Sequence, residues 1–202
     1  MDRKILLVGL MSFLLIGAVG AGVLLFSKPA SFRGTTCAEP YPVAPEFELT
    51  RSDGTRFRLS EIRGRVVALF FGYTSCPDVC PTTLAELNQA LEKLGSQADQ
   101  VQVQVLFVTV DPQRDTPERV QEYVNHFNPN FIGLSGSEAE LARVWNDYGV
   151  FREVAEGTSA AGYLVDHTAR VTLIDQQGNL RVSFPFDTPV EDIVHDLKLL
   201  LK

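Results

Sequence analysis

Residues 65–84 read RVVALFFGYTSCPDVCPTTL, and this stretch changes character halfway. Val66 to Phe71 is an unbroken run of β-branched, aliphatic and aromatic side chains, the mark of a strand covered on both faces. A polar loop then places Cys76 and Cys80 four residues apart. Pro81 stands where a first helical turn tolerates proline. Leu84, Leu87, Leu91 and Leu94 recur at helical spacing, and Gly95 supplies the stop. The stretch is therefore strand, loop, helix, with both thiols at the carboxyl end of the strand. Open α/β sheets bind their ligands there.

The same pattern extends in both directions. Upstream, FELT and RFRL flank the turn RSDG as a hairpin, and Ser60 caps a helical turn that Gly64 stops. Downstream, VQVQVLFVTVD is a second strand, Asp115 or Thr116 with Pro117 opens a helix to about Phe127, and FIGLS is a short strand. Ser137 and Glu140 form a capping box for a helix to about Tyr148. RVTLID and LRVSFPF make a hairpin across QQGN, and Thr188, Pro189 and Glu191 start a last helix that reaches Lys202. A parallel first half, a helical insert, then an antiparallel pair and a closing helix give an α/β, thioredoxin-like plan in one domain.

One segment lies outside that plan. Ile5 to Phe26 carries no charge and no proline, and a helix of that length spans a hydrocarbon core of about 30 Å. Arg3 and Lys4 before it keep the N-terminus cytoplasmic. The expectation is a transmembrane anchor helix over 5–26 in an inner membrane, with the remainder periplasmic or its equivalent; a cleaved signal peptide is the alternative. Residues 27–44, rich in proline, glycine and small polar side chains, read as a linker, and 45–202 as the domain. With 18 basic against 25 acidic side chains, net −7, and no basic block, nucleic acid is not an expected partner.

In an oxidising compartment a close thiol pair becomes a disulfide unless it is kept reduced or occupied. Cys76 and Cys80 therefore admit a structural disulfide, a dithiol redox centre or a metal site. Redox pairs usually space their cysteines Cys-x-x-Cys, and the wider Cys-x-x-x-Cys loop lets two sulfurs converge on one ion. Thiolates select Cu(I) or Zn(II), and structural zinc wants four protein ligands where two cysteines are near. The helix N-terminus is expected to stabilise the Cys80 thiolate, and Cys76 with it. Peroxidatic chemistry is excluded, because Leu69 and Tyr73 stand where that motif needs proline and threonine. Cys37, in RGTTC, reads as an unpaired thiol in the linker.

A third ligand must come from elsewhere. His126 lies near a helix end and His195 in the last amphipathic helix, both with bland surface or packing roles. His167, in YLVDHTARVTLID, precedes a long strand where a thioredoxin-like fold brings its loop over the cysteines. Two thiolates and an imidazole suit three-coordinate Cu(I), and Cu(II) with a further donor. The only methionine besides Met1 is Met11, within the apolar segment, so a methionine-based copper site is excluded.

GYTSCPDVCPTTL, VTVDPQRDTPERVQEYV and YLVDHTARVTLID, in that order, resemble the Sco/SenC family of membrane-anchored copper proteins, over about residues 45–200. The resemblance implies a thioredoxin-like fold with one anchor helix, copper held by Cys76, Cys80 and His167, and a metallochaperone for the CuA centre of cytochrome c oxidase subunit II. It also implies the rival of a thiol:disulfide oxidoreductase acting on that subunit's cysteines; a copper or redox sensor is a third possibility. Copper loading requires the pair reduced, so a separate thiol reductant is an expected partner. Asp111, Arg114 and Asp115 read as a loop that caps its next helix, with a supporting surface beside the metal as the alternative. Asp78 is expected in solvent, and Asp166 points away from the side of His167.

Overall fold

The computed structural model describes residues 31–95, 102–159 and 162–202. The expected anchor over 5–26 and the start of the expected linker lie outside them. Among the described residues no helix is long and apolar enough to cross a membrane. In chain order the elements are β1 (Thr35–Thr36), β2 (Glu48–Thr50), β3 (Arg56–Arg58), a 3-10 turn (Leu59–Ile62), β4 (Val66–Gly72), α1 (Val79–Lys93), β5 (Val103–Thr109), α2 (Pro117–Asn125), β6 (Ile132–Leu134), α3 (Glu138–Asp147), β7 (Arg152–Ser159), β8 (Gly162–His167), β9 (Arg170–Ile174), β10 (Leu180–Pro185) and α4 (Val190–Leu200).

A six-stranded sheet runs β1-β10-β9-β4-β5-β6. β4 is parallel to β5 and β5 to β6, whereas β9 lies antiparallel to β4, and β10 to β9. This is the thioredoxin-like arrangement. Every residue of β4 and β5 is buried, as the apolar run of β4 requires, and β5 takes the polar Gln104 and Thr109 inside with it. Side chains alternate across the sheet, and two neighbouring phenylalanines mark its faces. Phe70 meets Phe107, which meets Tyr123 of α2, and α1 and α4 lie on this side, joined by the Lys93–Glu191 ion pair at 2.6 Å. Phe71 faces the other way onto Tyr148 at the end of α3, which also packs on Phe47 beside the β2–β3 hairpin.

The helix starts follow their caps. Thr116 accepts from the Arg119 N–H with Pro117 at the first helical position, and Ser137 and Glu140 complete a reciprocal capping box. At the 3-10 turn the expected Ser60 cap is replaced. Glu61 accepts from the Arg58 N–H, while the Ser60 N–H is taken by Glu46.

Two segments differ from expectation. Residues 32–44 belong to the compact domain, which begins at Phe32, so the boundary expected at 45 moves back. β1 pairs with β10, Cys37 N–H donates to the Arg181 carbonyl at 3.1 Å, and Val43 bridges to Asn179. The fully buried Asp196 carboxylate of α4 accepts the backbone N–H groups of Arg33 and Gly34, each at 2.9 Å. The second difference is an additional hairpin, β7–β8, inserted between α3 and β9. It forms a two-stranded sheet of its own, and His167 is its last residue.

Candidate metal centre

β4 ends at Gly72, where the first turn of α1 and the Phe107 ring crowd the backbone. A Cβ on Gly72 would lie 2.8 Å from Cys80 Sγ and 2.8 Å from that ring. The chain then loops through Tyr73, Thr74 and Ser75 to Cys76 and enters α1 at Val79, with Cys80 in its first turn. Cys76 is half-buried, Cys80 is fully buried, and no disulfide joins them. Cys80 N–H donates to Cys76 Sγ at 3.4 Å. The helix N-terminus therefore serves Cys76, the outer sulfur; of the two thiolates the sequence expected it to stabilise, Cys80 is not served. The Cys80 thiol, this backbone donor and the His167 ring hold the Cys76 thiol down at about 4, against the opposing effect of burial. The facing Cys76 sulfur and burial push the Cys80 thiol up. One accessible thiolate thus fronts a buried, protonated partner.

His167 Nε2 lies 3.7 Å from Cys80 Sγ. Its Nδ1 is 3.2 Å from the Thr168 carbonyl oxygen, and a carbonyl only accepts, so Nδ1 carries a proton and Nε2 is the ring nitrogen that faces the sulfur. Tyr73 sets the ring edge-to-face at 5.8 Å, and its hydroxyl accepts the Val165 N–H at 3.4 Å. For a soft d10 ion, bonds of about 2.3 Å to sulfur and about 2.0 Å to nitrogen at a trigonal angle separate the two donors by about 3.7 Å. The Cys80–His167 pair matches that spacing. Among the described residues no group of three His, Cys, Asp or Glu side chains is spaced as a finished metal cage.

The loop between β5 and α2 does more than cap a helix. Asp115, fully buried, accepts from the Thr74 N–H (3.0 Å), the Thr74 hydroxyl (2.6 Å) and the Thr109 hydroxyl (2.7 Å). It ties the cysteine loop to β5, and burial pushes its carboxyl up against the pull of those donors. Arg119 adds donors to Thr74 and Ser75. Thr116, not Asp115, caps α2. Asp78 is exposed as expected, and Asp166 is exposed as well. His126 is exposed at the end of α2, and His195 pairs with Asp196 at 2.8 Å. The contacts of Thr74 and Tyr73 went unnoticed in the sequence; their position between strand end and cysteine was the available signal.

Fold and site together define a class: a thioredoxin-like domain carrying a Cys-x-x-x-Cys dithiol that faces a histidine. The family model described as SCO1/SenC matches residues 35–202. An SCO2-like protein of Rickettsia felis is 33% identical over 204 aligned residues, spanning 98% of each chain. Apo Sco1 from Thermus thermophilus is 42% identical, covering 84% of this chain and 97% of its own, with a TM-score of 0.75. ScoI of Arabidopsis thaliana, solved with copper bound, is 33% identical over 79% of this chain and 98% of its own, at 0.73. The chain belongs to the SCO1/SenC family.

Proposed function

We propose that this chain is a copper metallochaperone that carries Cu(I) on Cys76, Cys80 and His167. The observation that carries the reading is the 3.7 Å approach of His167 Nε2 to Cys80 Sγ, with Nδ1 turned to the Thr168 carbonyl. The copper bound in the Arabidopsis relative supports the choice of metal. Cys80 is the buried anchor, His167 the nitrogen ligand, and Cys76 the accessible thiolate through which a partner's ligands displace the chain's own. Cu(II) would need one donor more.

The family resemblance supports delivery to the CuA centre of cytochrome c oxidase subunit II. The apolar segment 5–26 supports anchoring in the inner membrane, with the domain on the periplasmic or equivalent side. A thiol reductant would keep the pair ready for loading.

A second reading has its own observation. A thiol held at about 4 in front of a raised, buried one is the asymmetry a disulfide-exchange enzyme uses. In it, the Cys76 thiolate attacks a partner disulfide, and Cys80 then resolves the mixed disulfide, leaving the partner reduced and Cys76–Cys80 oxidised. His167→Ala separates the two. It weakens copper retention and spares disulfide exchange if the chain is a chaperone; unchanged copper affinity would contradict the ligand assignment.

A further inference from the structure

The hairpin that presents His167 is a two-stranded sheet separate from the six-stranded one. Two strands alone are marginally stable in water, so the place of the imidazole depends on what holds the hairpin down. β7 is held by Arg152, whose Nε donates to the Val110 carbonyl at 2.7 Å. β8, the strand that ends in His167, is held by Arg114. Its Nη1 donates to the Tyr163 carbonyl at 2.9 Å, and its guanidinium lies 3.7 Å from the centre of the Tyr163 ring and 5.6 Å from that of Tyr73. Its Nε donates to Asp111, which is fully buried, and the Tyr163 hydroxyl donates to the other Asp111 oxygen at 2.7 Å.

Arg114 therefore lies against the ring of Tyr163 within the imidazole's strand and near that of Tyr73, which accepts the Val165 N–H of the same strand, and Asp111 fixes it to the end of β5. A planar guanidinium can stack and donate in a fork at once, which an ammonium cannot. Metal affinity depends on how firmly outlying groups orient a ligand, because an unrestrained imidazole spends part of its binding free energy on being ordered.

We propose that Arg114 is the positioning residue for His167: with Asp111 and Tyr163 it latches β8 so that the imidazole faces Cys80, and it thereby sets the strength of the nitrogen ligand. The latch rests on the reading of Cys76, Cys80 and His167 as a copper site. The cysteine loop has ties of its own through Asp115 and Arg119, and Arg114 lies farther from its Tyr73 ring than from Tyr163, so loosening the latch should loosen the nitrogen ligand first and leave both sulfurs in place.

The test uses the full chain, reduced and loaded with Cu(I), as Arg114→Lys and as Tyr163→Phe, each with and without His167→Ala. Tyr163→Phe removes only a hydroxyl near the surface and guards against a misfolded arginine variant. X-ray absorption should show two sulfurs retained and the imidazole signal diminished. Copper affinity should fall about tenfold for Arg114→Lys, and less for Tyr163→Phe. In the His167→Ala background neither change should weaken copper further. An unchanged imidazole signal in both variants, or an equal loss of affinity with and without His167, would overturn the latch. If His167→Ala alone leaves affinity unchanged, the copper-site reading fails first, which is seen without any change at Arg114.

Discussion

Cys80 Sγ and His167 Nε2 stand 3.7 Å apart although 87 residues separate them in the chain. The sulfur is fixed by the first turn of α1 and the nitrogen by a hairpin outside the main sheet. Each of the supports between them can be removed separately.

The cysteine loop hangs on Asp115. Asp115→Ala leaves the Thr74 N–H and the Thr74 and Thr109 hydroxyls without their acceptor, and burial denies the Thr109 hydroxyl water. Urea unfolding of the reduced chain should show a loss of about 1–3 kcal/mol, accompanied by weaker copper binding. Full stability would contradict the role given to this carboxylate.

Gly72 leaves no space for a side chain. With the Cβ placed 2.8 Å from Cys80 Sγ, Gly72→Ala must push the sulfur or the Phe107 ring aside. Overpacking of this kind costs about 1–3 kcal/mol, and the displaced sulfur should cost the chain copper as well. Thermal melts with and without Cu(I) would register both effects, and a variant that gains as much stability from copper as the parent would count against the crowding.

The reduced, metal-free chain should respond to pH through Cys76. Its thiol is lowered from an ordinary 9.0 to about 4, so between those values the unfolded chain binds one more proton than the folded one. Stability then rises with pH across that window and is lost as pH falls through about 4. Above the free-thiol range the raised Cys80 reverses the slope. Cys76→Ser should flatten the rise, and iodoacetamide at about pH 6 should alkylate Cys76 while sparing Cys80. Preferential labelling of Cys80 would invert the assignment.

The domain should need its N-terminal strap. A chain beginning at residue 45 lacks Arg33 and Gly34, leaving the buried Asp196 carboxylate without their N–H groups, and exposes the edge of β10. It should melt below one beginning at residue 31, and equal melting would return 32–44 to the status of a spacer.

The sequence made the central strands, the capped helices and the Cys-x-x-x-Cys loop legible, because each depends on local pattern: burial on both faces, cap chemistry, proline in a first turn. It hid β7 and β8. Phe151 and Val154 stay exposed there, and β8 alternates irregularly with Val165 as its one buried residue, because that hairpin leans on Arg114 and Arg152 as well as on the core. β1 is two exposed threonines, whose pairing is visible only with β10 in place. Which sulfur receives the helix N–H was equally out of reach. The rule that helix N-termini favour anions gives the sign, but only the loop's path shows that Cys76 lies in front of the Cys80 N–H. Asp115, in a sequence that looks like a cap, turned out to face backwards onto Thr74.

The most direct test of the central claim is metal analysis with X-ray absorption on the full chain, reduced and loaded with Cu(I). One copper per chain bound by two sulfurs and one imidazole nitrogen, the nitrogen lost in His167→Ala, is the predicted result. Substoichiometric copper that is easily stripped, beside rapid reduction of a partner disulfide, would contradict it and assign Cys76 and Cys80 to thiol exchange instead.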